Sequence, residues 1–197
     1  MNKVMNVLIF LIIQGCAAAP KNHFRHEYQT YSVDGYLMRI FKDGSGSFGR
    51  QEELVAMGNH WSFSTKKDEM TDKIILTAYR RGFDQDAYLP MNSKIGIYID
   101  LSSDSSEIIC VYGHDFPGQS AMVRVGKNTA INTNEYGCTE LTADLSKQLE
   151  SEKSVKVRGK IWPDNGYITT EVNLDGYSKV VEFLRLRKNV LMEKSDI

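Results

Sequence analysis

From Trp61 onward the chain alternates between apolar and polar positions. Trp61, Phe63 and Thr65 are separated by polar neighbours, Lys73 to Tyr79 is rich in β-formers, and Ile95, Ile97, Ile99 and Leu101 recur every second residue. Successive side chains of a strand point to opposite faces, so those last four occupy one face of a single strand. Glu107 to Tyr112 and Ala121 to Val125 continue the series. Tyr36 to Phe41 precedes it, followed by turn chemistry at Asp43, Gly44, Ser45, Gly46 and Ser47. Near the end, Val155, Val157 and Ile161 alternate before Pro163, Asp164, Asn165 and Gly166, and Ile168, Val172 and Leu174 alternate after them. Asn-Gly tolerates positive φ at both central positions of a tight turn, so residues 155–162 and 167–174 are predicted to pair as a hairpin.

Helical periodicity interrupts this pattern in few places. Leu141, Leu145 and Leu149 recur every four residues, and Thr139 upstream supplies an N-cap oxygen. Val180, Val181 and Leu184 form a second stripe after Asp175 and Gly176, and residues 50–57 suit a short helix. Both stripes are expected to pack on the sheet. The expected fold class is mainly β: an antiparallel β-sandwich or partly open barrel with one or two short helices, with α+β as the alternative. No repeat of fixed period and no low-complexity linker interrupts the chain. One domain over residues 36–188 is therefore expected, with a charged, frayed tail at 189–197.

Composition adds bounds but names no partner. The 197 residues are 42% hydrophobic and 25% charged, the balance of a globular protein with a core. A formal net charge of −1 and a pI near 6.4 argue against capture of nucleic acid by a basic surface. They give no reason to expect electrostatic attachment to anionic lipid either.

The first twenty residues are different in kind. Lys3 is the one charge before the apolar run Val7 to Ile13, and small residues follow from Gly15 to Ala19. This is the three-part pattern of a secretory signal, and the run is too short to span a bilayer. Two exits compete: cleavage at the alanines, or processing at Cys16. Ile13, Gln14, Gly15 and Cys16 resemble the bacterial lipobox, with Gln14 a departure where a small residue is usual. The lipobox implies a signal peptide over 1–15, a lipid-bearing Cys16 and a tether over 16–35. Within that tether, Lys21 to Tyr31 reads as polar linker or a first irregular strand. Ala17 after the cysteine leans toward the outer membrane, facing the periplasm. A soluble periplasmic protein is the alternative. Cysteine arithmetic points the same way: lipid on Cys16 leaves Cys110 and Cys138 as an even pair in an oxidising compartment.

No stretch completes a catalytic or metal constellation. Gly44, Gly46 and Gly49 satisfy GxGxxG, yet no βαβ unit follows, and a flexible turn is the expectation. Ser64 and Lys67 satisfy SxxK, but the neighbourhood reads as strand and lacks the SDN and KTG partners of that chemistry. His23 and His26 fall in the tether. Asp68, Asp72, Asp84 and Asp86 do not match the spacing of a calcium loop and read as solvated turn residues. His114, Asp115 and Phe116 sit in the Gly-flanked stretch Gly113 to Gly118 and form the candidate binding loop. A His–Asp pair can orient a base, but no nucleophile or third ligand completes it. No cofactor or metal is expected.

One stretch carries a family resemblance. Trp61, Ser62, Phe63 and Ser64, then Asp68, Met70, Thr71 and Asp72, then Ile74 to Tyr79 resemble a Trp-x-aromatic, Asp-x-Met-x-Asp pattern. That pattern occurs in small exported bacterial and phage-associated proteins of unknown function. The periplasmic accessory proteins associated with type VI secretion carry a similar segment, with a paired Asp-Asp where this chain reads Met-Thr-Asp. With Cys110, Arg124 and the helix and hairpin ending at Leu174, Asp175 and Gly176, the resemblance covers residues 61–186. It implies a β-rich exported domain with a non-enzymatic role and transfers no catalytic residue. Exported invasion-associated proteins are similar, more faintly, around Gly137, Cys138 and the leucine-spaced helix. Trp61 and Met70 are expected in the core. The expected function is a non-catalytic envelope lipoprotein, an accessory or binding component of a surface or secretion-related assembly. It would meet the membrane through its lipid and an envelope protein through its surface. The alternatives are an inhibitor or immunity-type lipoprotein, which an exposed 113–118 loop would favour, and a wall- or lipid-directed hydrolase, which requires a pocket joining His114 to a hydroxyl or second acid.

Overall fold

The computed structural model describes residues 28–52, 59–84, 91–102, 106–163 and 166–193. Cys16, the signal, His23, His26 and Asp86 lie outside them. Among the described residues twelve strands, all paired antiparallel, make one sheet that does not close, with two full helices against it. The strands are β1 (Tyr28–Val33), β2 (Tyr36–Phe41), β3 (Ser45–Gly49), β4 (Trp61–Lys67), β5 (Ile74–Asp84) and β6 (Met91–Asp100). They continue with β7 (Ile108–Tyr112), β8 (Met122–Val125), β9 (Ile131–Asn132), β10 (Cys138–Glu140), β11 (Ser154–Lys160) and β12 (Tyr167–Asn173). The helices are α1 (Ala143–Ser151) and α2 (Tyr177–Glu193).

The expected sandwich-like architecture is present, and β5 is its hinge. Its first half pairs with β4 on one side and β6 on the other. A register shift between Arg81 and Phe83 then bends it, so that Phe83 pairs with Glu171 of β12. Gly82 sits at that irregularity because a Cβ there would lie 2.2 Å from the Thr170 side chain. Such a bulge bends a strand and increases its twist. One branch of the sheet runs β1 to β7 and ends at β10. The other runs β12, β11, β8 and β9. β11 and β12 pack over β6 and β7, and the core lies between.

The alternation seen in sequence is the burial pattern. Trp61, Phe63 and Thr65 of β4, Ile74, Leu76 and Ala78 of β5, and Ile95, Ile97, Ile99 and Leu101 in and after β6 are all buried. Each such aliphatic side chain stabilises by about 1.5–3 kcal/mol. Leu141, Leu145 and Leu149 are buried beneath α1, and Val180, Val181 and Leu184 beneath α2. Phe183 of α2 meets Phe63 edge-on at 5.1 Å.

Several expectations are corrected. The α1 cap is Thr142, whose Oγ1 accepts from Leu145 N; Thr139 pairs with Ile109 in the sheet. Met70 is 93% exposed. The reason is local: Asp68 accepts from the amides of Met70 and Thr71 and from the Thr71 hydroxyl, which turns the chain there and leaves Met70 outside. Of the stretch read as polar linker or a first irregular strand, the described part belongs to strand β1, and α2 runs past Lys188 to Glu193. Gly46 and Gly49 belong to β3, so the GxGxxG match is a turn followed by strand. Of the short helix expected over 50–57, Gln51 and Glu52 are helical and the residues after them lie outside the described set. The β11–β12 hairpin forms as expected, but its last pair is Lys160 with Tyr167, so the connection is longer than an Asn-Gly tight turn. Among the described residues no helix is long and apolar enough to cross a membrane.

Candidate functional site

The loop after β7 is held at every turn. His114 is buried. Its Nδ1 accepts from the Lys160 amide at 3.0 Å, and its Nε2 lies 2.9 Å from the Gln119 carbonyl. Nδ1 also lies 3.1 Å from the Lys160 carbonyl, so both ring nitrogens are engaged by backbone groups. Gly159 and Gly137 make room for the ring: a Cβ at Gly137 would lie 2.9 Å from His114 Cδ2, and one at Gly159 3.2 Å from His114 Cβ. His114 therefore staples the loop to β11 from within and is not a surface contact. His114 is not among the residues that line the cleft described below.

Asp115 completes the attachment. Its amide donates to the Lys160 carbonyl at 3.2 Å and its Oδ1 accepts from the Trp162 amide at 2.7 Å. That bond draws Trp162 out of the β11–β12 ladder, which is why the hairpin connection is long. The outcome is an aromatic surface. Phe116 and Trp162 meet edge-on with ring centres 5.4 Å apart. Lys160 Nζ lies 5.0 Å from the Phe116 ring centre and 4.5 Å from that of Tyr167. Trp162 is 60% exposed and Tyr167 55%. The next loop, whose Gly137 abuts His114, carries Tyr136 with its ring exposed. Sequence reading named Phe116 and missed Trp162, Tyr167 and Lys160. Two aromatics flanking a Pro-Asp-Asn-Gly turn, where no core reaches, were the available signal.

Cys110 and Cys138 are paired across β7 and β10 with sulfurs 2.05 Å apart, the bond that the cysteine count implied. The bond joins the strands that lead into the two aromatic-bearing loops.

A second polar cluster sits where β12 meets α2. The Asp175 carbonyl accepts from Trp61 Nε1 at 2.9 Å and from Arg80 Nη1 at 2.8 Å. Arg80 Nη2 donates to the Asn59 carbonyl at 2.8 Å. Arg80 is fully buried and in phase with Ile74, Leu76 and Ala78. The Asp175 carboxylate accepts from Arg50 Nε at 2.7 Å and from the Tyr36 hydroxyl. Burial pushes the Asp175 carboxyl up, but the bonds from Arg50 and Tyr36, with the charges of Arg50 and Arg80, outweigh it and hold it below the usual value. Beside this cluster lies an open cleft of about 780 Å³, lined by Asn59, Phe83, Glu152, Glu171 and Lys179 among others. Of its charges, Glu171 accepts from Ser154, and Lys179 pairs with Asp34. Among the described residues no three His, Cys, Asp or Glu side chains gather as a metal site. Compared with family models, curated proteins and solved structures, the chain has no significant match to any of the three.

Proposed function

We propose that this chain is a non-catalytic envelope lipoprotein, anchored through Cys16, that binds another protein as an accessory component of a surface or secretion-related assembly. The observation that supports binding is the aromatic set around Lys160, with Trp162 and Tyr167 exposed and Phe116 half-buried beside them, held by the backbone bonds of His114 and Asp115. Trp and Tyr on a rigid support are the residues that dominate protein interfaces, because they bring much contact area with few torsions to immobilise. The support for export and anchoring is the lipobox-like exit at Cys16, and the support for a secretion-related setting is the resemblance over residues 61–186.

The anchor is tested by intact mass and fractionation of the wild type against Cys16→Ser in a Gram-negative host. An acylated species beginning at Cys16 and lost in the variant supports it; a soluble species beginning near Ala19 overturns it. The binding surface is tested by a photo-cross-linking residue at Trp162, with the exposed Lys66 on the opposite branch as control. A discrete adduct specific to position 162 supports the reading, and equal labelling at both positions overturns it. The pinned loop also favours a second reading, an inhibitor or immunity-type lipoprotein. There the adduct would be to an incoming enzyme or phage protein, and Phe116→Ala would abolish protection.

A further inference from the structure

Among the described residues the sheet has three ends, at β1, β9 and β10. Two of them are short: β9 has 2 residues and β10 has 3. β1 has 6, all in register with β2, from Tyr28 with Phe41 to Val33 with Tyr36. Natural proteins blunt long edges with charge, proline or bulges, because an unpaired row of N–H and C=O groups is a template for another strand. β1 has none of these devices. Its sequence, Tyr-Gln-Thr-Tyr-Ser-Val, is free of charge and proline, and Tyr28 to Ser32 are exposed on both faces of the ribbon.

The hairpin geometry says which groups are on offer. Asp34 and Gly35, with φ of 49° and 80°, form the two-residue turn between β1 and β2. Such a turn makes the flanking residues Val33 and Tyr36 a hydrogen-bonded pair. Counting back by twos, Tyr31 and Gln29 also bond to β2. The N–H and C=O of Tyr28, Thr30 and Ser32 therefore point away from it. These three positions are self-matching. In an antiparallel pair of two β1 strands with Thr30 opposite Thr30, Tyr28 of each copy faces Ser32 of the other. All the outward groups are then used, in about six hydrogen bonds. Shifting by one residue sets outward groups against inward ones and makes none of them.

We propose that β1 is a docking strand for a second copy of this chain, the two joined about a twofold axis through Thr30. The occupant is argued from this self-matching register and from the absence of charge, which leaves the copies nothing to repel within the strand. A twofold contact of this kind closes on itself and stops at a dimer. The strand pair covers less area than a permanent dimer needs, so association is weak and rises with concentration. This inference stands apart from the anchoring and binding readings above.

The test traps the register in the full chain carrying Cys16→Ser. Thr30→Cys places two thiols at a hydrogen-bonded pair, with Cα atoms about 5.5 Å apart and within disulfide reach. Ser32→Cys places them about 14 Å apart, from four residues of offset at 3.4 Å each, and beyond that reach. Under mild oxidation Thr30→Cys should give a covalent dimer of twice the mass, and Ser32→Cys should not. In sedimentation, Thr30→Pro removes an outward donor without touching the β1–β2 ladder. It should abolish concentration-dependent self-association while the thermal unfolding midpoint stays put. Equal trapping at both positions, a monomer at every concentration, or a dimer untouched by Thr30→Pro would each overturn the proposal.

Discussion

Arg80 and Lys160 do the same chemistry in opposite places. Each is a cation over aromatic rings, Arg80 over Trp61 and Lys160 over Phe116 and Tyr167, and each neighbourhood includes an aspartate that organises the backbone. Arg80 is fully buried, with its donors given to the carbonyls of Asp175 and Asn59; Trp162 and Tyr167 around Lys160 are more than half exposed. The difference is strand phase. Arg80 falls on the inward positions of β5, behind Ile74, Leu76 and Ala78, whereas Lys160 shares the outward phase of Lys156 and Arg158 in β11. Residue type therefore does not separate a structural joint from an available surface. Phase and hydrogen-bond partners do.

That contrast can be broken by mutation. The largest effect is expected at Arg80→Met, which keeps the volume but takes the Arg80 donors from the Asn59 carbonyl and from the Asp175 carbonyl, leaving the latter with Trp61 Nε1. A loss of about 3–5 kcal/mol in urea unfolding is expected. The double variant Cys110→Ala, Cys138→Ala comes next. The bonded cysteines are 28 apart in sequence, and removing the bond should cost roughly 3–4 kcal/mol through the unfolded chain. It should also raise amide exchange around His114, because β7 and β10 feed those loops.

Asp175→Asn separates the two regions by pH. The Asp175 carboxyl is held below its ordinary value of 3.8, so its contribution is complete above that pH and fades as pH falls toward the lower folded value. The stability gap between wild type and Asp175→Asn should accordingly be constant near neutrality and shrink below pH 3.8. Acid titration of both proteins, followed by circular dichroism, checks the sign. The smallest effects belong to the exposed cluster. Lys160→Met and Trp162→Ala should each change stability by no more than about 0.5 kcal/mol. A loss near that of Arg80→Met at either position would end the comparison.

The strands were legible because burial on one face imposes a period of two, and Ile95, Ile97, Ile99 and Leu101 display it without interruption. The two leucine and valine stripes were legible for the same reason at helical period. What escaped depends on contacts distant in sequence. The hairpin connection lengthens because Asp115 captures the Trp162 amide from 47 residues away. Thr142 replaces Thr139 as cap because Thr139 is claimed by β7. Met70 looked like core filler, but the bonds to Asp68 fix a turn that no apolar period reveals. The candidate loop was legible through its glycines, though the role of His114 was not: a histidine within a loop reads alike whether its nitrogens face solvent or a strand. Arg80 was legible in principle, as a charge in apolar phase.

The Cys110–Cys138 bond closes a covalent ring that contains β8 and β9. Its most accessible arc is Gly126 to Ala130, where every residue is exposed. A protease cutting after Lys127 would open the backbone without releasing a piece. The product would be two polypeptides still joined as one molecule, heavier by a single water and separable only by a reductant. The ring lets the domain be nicked at its most open loop and remain one object.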